Sequence, residues 1–148
     1  MRLYFYPSSY NGLAPEDAFF TVRARGYTML KNFSASITAQ ALTQAYIIKE
    51  FSFSNSPGLL NITFVPEKGT KSYAFVNGIE IVSIPDLINM TQPMLVGLNV
   101  PHNIDSSITL ETMIRLNVGG QSLSPVEDSD LSRTWYDDTP WQRHLIPL

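Results

Sequence analysis

The chain has 148 residues, 44% of them apolar and 11% aromatic, enough to build one packed core. Its formal net charge is -3 and only 16% of residues are charged, so it offers neither a basic footprint for phosphate backbones nor a polybasic stretch for anionic lipid; nucleic acid and direct membrane-surface binding are set aside. Cysteine is absent, which removes disulfides, thiolate nucleophiles and Cys-based zinc sites. No window reaches the ~20 apolar residues needed to span a bilayer, and Met1 to Tyr6 lacks the apolar stretch and small-residue cleavage site of a signal peptide.

In chain order the signals are those of an all-β protein. Arg2 to Tyr6 is rich in β-formers and ends at Pro7-Ser8-Ser9-Tyr10-Asn11-Gly12, a loop composition. Ala18 to Arg23 alternates, with Ala18, Phe20 and Val22 on one face, and Arg25-Gly26 turns the chain into Tyr27 to Lys31, predicting a hairpin. Ser36 to Ala45 is the one plausible helix, with Ser or Thr available as its cap. Tyr46 to Phe53 is strand-like but breaks alternation at Ile47-Ile48, which predicts a bulge or a strand buried on both faces. Leu59 to Val65 is the cleanest strand: Leu60, Ile62 and Phe64 share a face, Asn61 and Thr63 point to solvent, and Pro66 ends it. Tyr73 to Val82 carries Asn77-Gly78 between two β-branched runs, which predicts a hairpin with a type I′ turn. From Pro85 periodicity fades, resuming at Met113 to Val118, and the tail from Gly119 reads as loop.

Chemistry-bearing residues are few. The sequons Asn32-Phe33-Ser34, Asn61-Ile62-Thr63 and Asn89-Met90-Thr91 mark three potential N-glycosylation sites, each a short pattern that also arises by chance in ordinary surface asparagine. His102 and His144 have no second ligand at metal-binding spacing. Asp137-Asp138 could bind a cation or a sugar hydroxyl through oxygen, or simply form a turn. There is no nucleophile elbow, P-loop or dinucleotide fingerprint, so no catalytic, cofactor or metal residue is assigned. Tyr4, Tyr6, Tyr10, Trp135, Tyr136 and Trp141 are the aromatics that could meet a ligand. Tyr4 and Tyr6, opposite Leu3 and Phe5 in alternation, either line an exposed sheet face or pack under a loop; the tail aromatics suit an interface.

Five strings, Arg2-Leu3-Tyr4-Phe5-Tyr6-Pro7-Ser8-Ser9-Tyr10, Leu30-Lys31-Asn32-Phe33-Ser34-Ala35-Ser36, Tyr73-Ala74-Phe75-Val76-Asn77-Gly78-Ile79-Glu80, Arg115-Leu116-Asn117-Val118-Gly119-Gly120 and Trp135-Tyr136-Asp137-Asp138, occur in an order and at a spacing that resembles the ectodomain of FERONIA-type plant receptor kinases. The resemblance implies tandem malectin-like, jelly-roll-type antiparallel β-sandwiches on the extracellular side of the plasma membrane, followed in the full receptor by a transmembrane helix and a cytoplasmic Ser/Thr kinase outside this chain. It implies that residues 1–110 are the C-terminal part of a first malectin-like domain, lacking its opening strands, and that residues 111–148 are the linker and start of a second. It also implies glycans at Asn32 and Asn61, and a binding module, not an enzyme, that recognises a secreted peptide and a co-receptor protein. The alternative is a carbohydrate-binding module for cell-wall polysaccharide. The ligand or interface residues expected are Tyr4, Tyr6, Tyr10, Trp135, Tyr136 and Asp137.

Overall fold

A computed structural model of the chain describes residues 1–53, 59–68, 71–83, 94, 97, 100–101, 108–129 and 131–142. Asn89, His102 and His144 lie outside the described residues. The strands are β1 (Arg2–Phe5), β2 (Phe20–Ala24), β3 (Tyr27–Phe33), β4 (Ile47–Ser52), β5 (Ile62–Pro66), β6 (Gly78–Glu80), β7 (Leu110–Thr112), β8 (Leu116–Asn117) and β9 (Tyr136–Asp137). Among the described residues there are also two short helices, α1 (Ala35–Ala41) and α2 (Thr139–Gln142), and a 3₁₀ turn at Pro15–Asp17. The chain divides into two compact units, Met1–Glu111 and Thr112–Leu148.

In the first unit, one sheet has the order β6-β1-β4-β7 and the other the order β3-β2-β5. The chain crosses between them after β1, β3, β4 and β5, while β2 and β3 stay together as a hairpin in the three-stranded sheet. In β1 alternation sends Leu3 and Phe5 inward, at 0% and 1% exposure, and Ile47, opposite Phe5, and Phe51 of β4 join them in the core. From the other sheet come Phe20, Val22 and Ala24 of β2 with Leu30 and Phe33 of β3. Phe5 meets Phe20 at 5.8 Å and Phe33 at 5.2 Å between ring centroids; Phe75 closes edge-on against both Phe5 and Phe20. These tilted and edge-on arrangements are the ones aromatic quadrupoles favour.

The expected β2–β3 hairpin is present, and its turn is of the type I′ kind: Arg25 and Gly26 both hold positive φ, 51° and 84°. Two register shifts follow, one on each side of the Val22 to Leu30 pair. Their consequence is that adjacent Met29 and Leu30 are both buried. Asn32, at φ 47°, is turned out to solvent. Helix α1 starts one residue before the expected helix and is capped by Ser34, whose Oγ accepts from the Ile37 N–H.

Three expectations are corrected. Asn77-Gly78 does not turn a hairpin: Gly78 opens β6, which pairs with β1 through Tyr4↔Gly78 and Leu3↔Ile79, and residues 72–76 form no strand. Non-local pairing with β1 prevails over the local turn preference because the Asn77 N–H and side chain both bond to β1 and the residue after it. The type I′ Asn-Gly turn is instead Asn11-Gly12, at φ 53° and 78°, closed by mutual hydrogen bonds between Tyr10 and Leu13. Strand β4 contains no bulge where it meets β1; the register runs unbroken from Arg2↔Glu50 to Phe5↔Ile47, and Ile48 lies half open on the outer face. Finally, the strand expected from Leu59 starts at Ile62, with Leu59 fully open to solvent, although the alternation of Ile62, Thr63 and Phe64 is as read.

The candidate recognition surfaces and the receptor family

Strand pairing places Arg2, Glu50 and Glu80 side by side on the outward face of the four-stranded sheet. Arg2 Nε donates to Glu50 at 2.8 Å and its Nη1 to Glu80 at 2.7 Å. The Tyr4 hydroxyl donates to the same Glu80 oxygen at 2.8 Å. Burial opposes the Arg2 charge, but the two carboxylates outweigh it and keep the guanidinium protonated. The Tyr4 hydrogen bond, with Arg2, holds the Glu80 carboxyl below the usual range, while burial and the neighbouring Glu80 push the Tyr4 phenol up. Tyr4 is thus engaged in a closed network on the sheet face.

Tyr6 and Tyr10 form a second cluster at the end of β1. Tyr6 is 54% exposed and stacks on the equally open Tyr46, with ring planes 12° apart. Tyr10 donates to the Tyr6 carbonyl at 2.6 Å and accepts from Asn77 Nδ2 at 2.8 Å, its ring resting on Phe75. Asn77 Oδ1 in turn accepts from the Tyr6 N–H. Asn77 and Tyr46 were not singled out from sequence. In the sequence Asn77 is a turn signal, and a side-chain amide beside β1 leaves no periodic trace.

In the second unit, Trp135 is held by arginines. Arg133 lies 4.9 Å and Arg115 6.0 Å from its ring centroid, and Arg133 grips Asp128 through Nε and Nη2 at 2.7 and 2.9 Å. That guanidinium holds the Asp128 carboxyl far below its ordinary range. Leu123 and Trp135 pair through two backbone bonds, and β8 runs parallel to β9. Tyr136 is 47% exposed. Asp137 accepts from the Ser122 hydroxyl at 3.2 Å and from the Thr139 N–H at 3.2 Å; it lines an open polar depression of ≈ 450 Å³ with Gly120, Gln121, Ser122 and Thr139. Asp138, read as a possible cation ligand, accepts from the Gly119 N–H.

The two sequons within the described residues begin at exposed asparagines. Asn32 is presented by the bulge in β3, and Asn61 precedes β5 with the Thr63 hydroxyl donating to its Oδ1 at 3.5 Å. Among the described residues no group of three or more His, Cys, Asp or Glu side chains converges as a metal site, and none of their helices is long and apolar enough to cross a membrane. The arrangement is suited to hydrogen bonding and aromatic contact.

The first unit is an antiparallel β-sandwich of malectin-like kind, and the chain is homologous to the ectodomains of FERONIA and ANXUR receptor-like kinases. The Arabidopsis thaliana receptor-like protein kinase FERONIA is 52% identical over 95% of this chain, and ANXUR2 of the same plant 46% identical over 95%. The chain spans only 16% and 17% of their respective lengths. The crystal structure of FER superimposes with TM-score 0.80 at 52% identity, covering 94% of this chain and 35% of that one. The ANXUR1 extracellular domain from Arabidopsis thaliana gives 0.83 at 44%, covering 94% and 37%. FER crystallised with the peptide RALF23 and LLG2 gives 0.77 at 50%, covering 94% and 36%. No family model matches the chain. The matched segment belongs to the ectodomain and not to the kinase.

Proposed function

We propose that this chain is a ligand-binding module on the extracellular side of the plasma membrane, part of a plant cell-surface receptor kinase that responds to a secreted peptide together with a co-receptor protein. The observation that carries the reading is its likeness, at 50% identity over 94% of its length, to FER as crystallised with RALF23 and LLG2. Surface aromatic and polar groups support it: exposed Tyr136 beside half-buried Asp137 in one unit, exposed Tyr6 and Tyr46 beside half-buried Tyr10 in the other. Glycans at Asn32, Asn61 and Asn89 belong to the same reading, since an extracellular chain passes the glycosylation machinery with its sequons unfolded. A test is to secrete the 148-residue chain from plant cells, immobilise it, and titrate it with RALF-type peptide, with and without an LLG-type co-receptor. Saturable binding that needs both, and that weakens on Tyr136→Ala or Asp137→Ala, is the expected result. Silence here, with binding by the complete ectodomain, assigns recognition to other parts of the receptor.

Binding of cell-wall polysaccharide is the second reading, favoured by the exposed Tyr6 and Tyr46 pair beside the Tyr10 hydroxyl and the Asn77 amide. Such a face can receive the C–H side of a sugar ring. Retardation in gels containing pectin, lost on Tyr6→Ala, tests it independently of the peptide.

A further inference from the structure

The sequence holds two Asn-Gly pairs, Asn11-Gly12 and Asn77-Gly78, and the fold treats them in opposite ways. Asn-Gly is the dipeptide most prone to self-reaction, because glycine leaves its own N–H unshielded toward the preceding side chain. Around Gly12 the space is open: a Cβ placed there would meet no atom within 4 Å. Asn11 is exposed at the tip of the Tyr10 to Leu13 turn, and the turn's two backbone bonds bypass the Gly12 N–H. Among the described residues the Asn11 side chain makes no hydrogen bond. Asn77 is pinned instead. Its Oδ1 accepts from the Tyr6 N–H, its Nδ2 donates to Tyr10 at 2.8 Å, and its own N–H donates to the Tyr4 carbonyl at 2.9 Å. Gly78 is paired with Tyr4 in β6, and a Cβ there would lie 3.3 Å from the Tyr4 ring.

We propose that Asn11 is a site of spontaneous succinimide formation and deamidation in the folded chain, and that the fold protects the chemically identical Asn77. In the step, the Gly12 amide nitrogen gives up its proton to hydroxide and attacks Asn11 Cγ. A C–N bond forms, the Cγ–Nδ2 bond breaks, and ammonia leaves with the proton it gains from solvent. Water then opens the five-membered ring at either carbonyl, yielding Asp or isoaspartate at position 11. No oxidant or enzyme is needed. Isoaspartate routes the backbone through the side chain, lengthening it by one methylene. That breaks the Tyr10 to Leu13 pairing and loosens Tyr10, the residue that ties Tyr6 to Asn77. The exposed tyrosine cluster thereby ages through a residue that is not itself part of it.

The test is peptide mapping of the 148-residue chain aged in native buffer at mildly alkaline pH, with a parallel sample in concentrated urea. Trypsin separates the two sites into Leu3 to Arg23 and Ser72 to Arg115. In native buffer the first peptide gains the mass of an amide-to-acid conversion and splits into Asp and isoaspartate forms. The second converts at least about tenfold more slowly, because Asn77 reacts only from locally opened molecules. In urea the two rates converge. Equal rates in native buffer, faster reaction at Asn77, or an Asn11 that reacts only in urea each overturn the proposal. Gly12→Ala, which hinders the attack, must slow conversion at position 11 in urea as well as in native buffer, or the succinimide route is wrong.

Discussion

Arg2 shows how a buried charge is made tolerable on the outward face of a sheet. Its side chain is 9% exposed, and it remains charged because Glu50 and Glu80 both accept from it. Replacing it by Met leaves two carboxylates facing each other, so Arg2→Met is expected to destabilise the first unit by about 2 kcal/mol, toward the lower part of the range for charged hydrogen bonds because Glu80 is more than a third open to solvent. The pH dependence follows from Glu80. Its folded pKa lies below the ordinary value of 4.5, so its contribution is present above that value and is lost as pH falls through the depressed folded pKa. Urea unfolding repeated from neutral pH down to about pH 3 should therefore show an acid-limb loss that is shallower in Arg2→Met. A variant of unchanged stability and unchanged acid limb would show the network to be energetically idle.

Among the elements, α1 is the one whose existence rests most on a cap. Seven residues are too few for a helix to persist on propensity alone. Burial of Ala35, Ser36 and Ala39 and the Ser34 cap hold it in place. Ser34→Ala is expected to cost about 0.5–1 kcal/mol, the low end for a cap because the accepted bond is long, at 3.5 Å. The substitution also destroys the Asn32 sequon, so the comparison is made on chain from bacteria, with Ser34→Thr as the variant that keeps both cap and sequon. Chemical denaturation with hydrogen exchange at Ile37 reads the cap directly. This helix, the β2–β3 hairpin and the outward Asn61 were legible in the sequence because each depends on neighbours a few positions away. Strand β6 was not. Its residues obey the local preference for a turn at Asn77-Gly78, and only the presence of Tyr4 and Tyr6 across the ladder converts that turn into a strand start.

At the scale of the molecule, stability of the first unit is concentrated where its two sheets meet. Phe20 touches the rings of Phe5, Phe33, Phe64 and Phe75, so Phe20→Ala removes contacts to both sheets and is expected to cost about 4 kcal/mol. Exposed Tyr6→Ala is expected to change stability by less than about 1 kcal/mol. Circular dichroism is the suitable probe, since both tryptophans lie in the second unit. Composition and period alone established an all-β chain with little charge, alternating strands, three sequons and no catalytic constellation, because strand alternation and sequon chemistry are local properties. The resemblance carried by five short strings supplied the family. Tertiary structure decided which Asn-Gly pair turns and which is clamped, whether the β4 irregularity is a bulge, and which tyrosines stand open while Tyr4 is tied to Glu80. Those outcomes depend on partners up to 76 residues away in the chain, and a free-energy preference set by such partners leaves no mark in any short window of sequence.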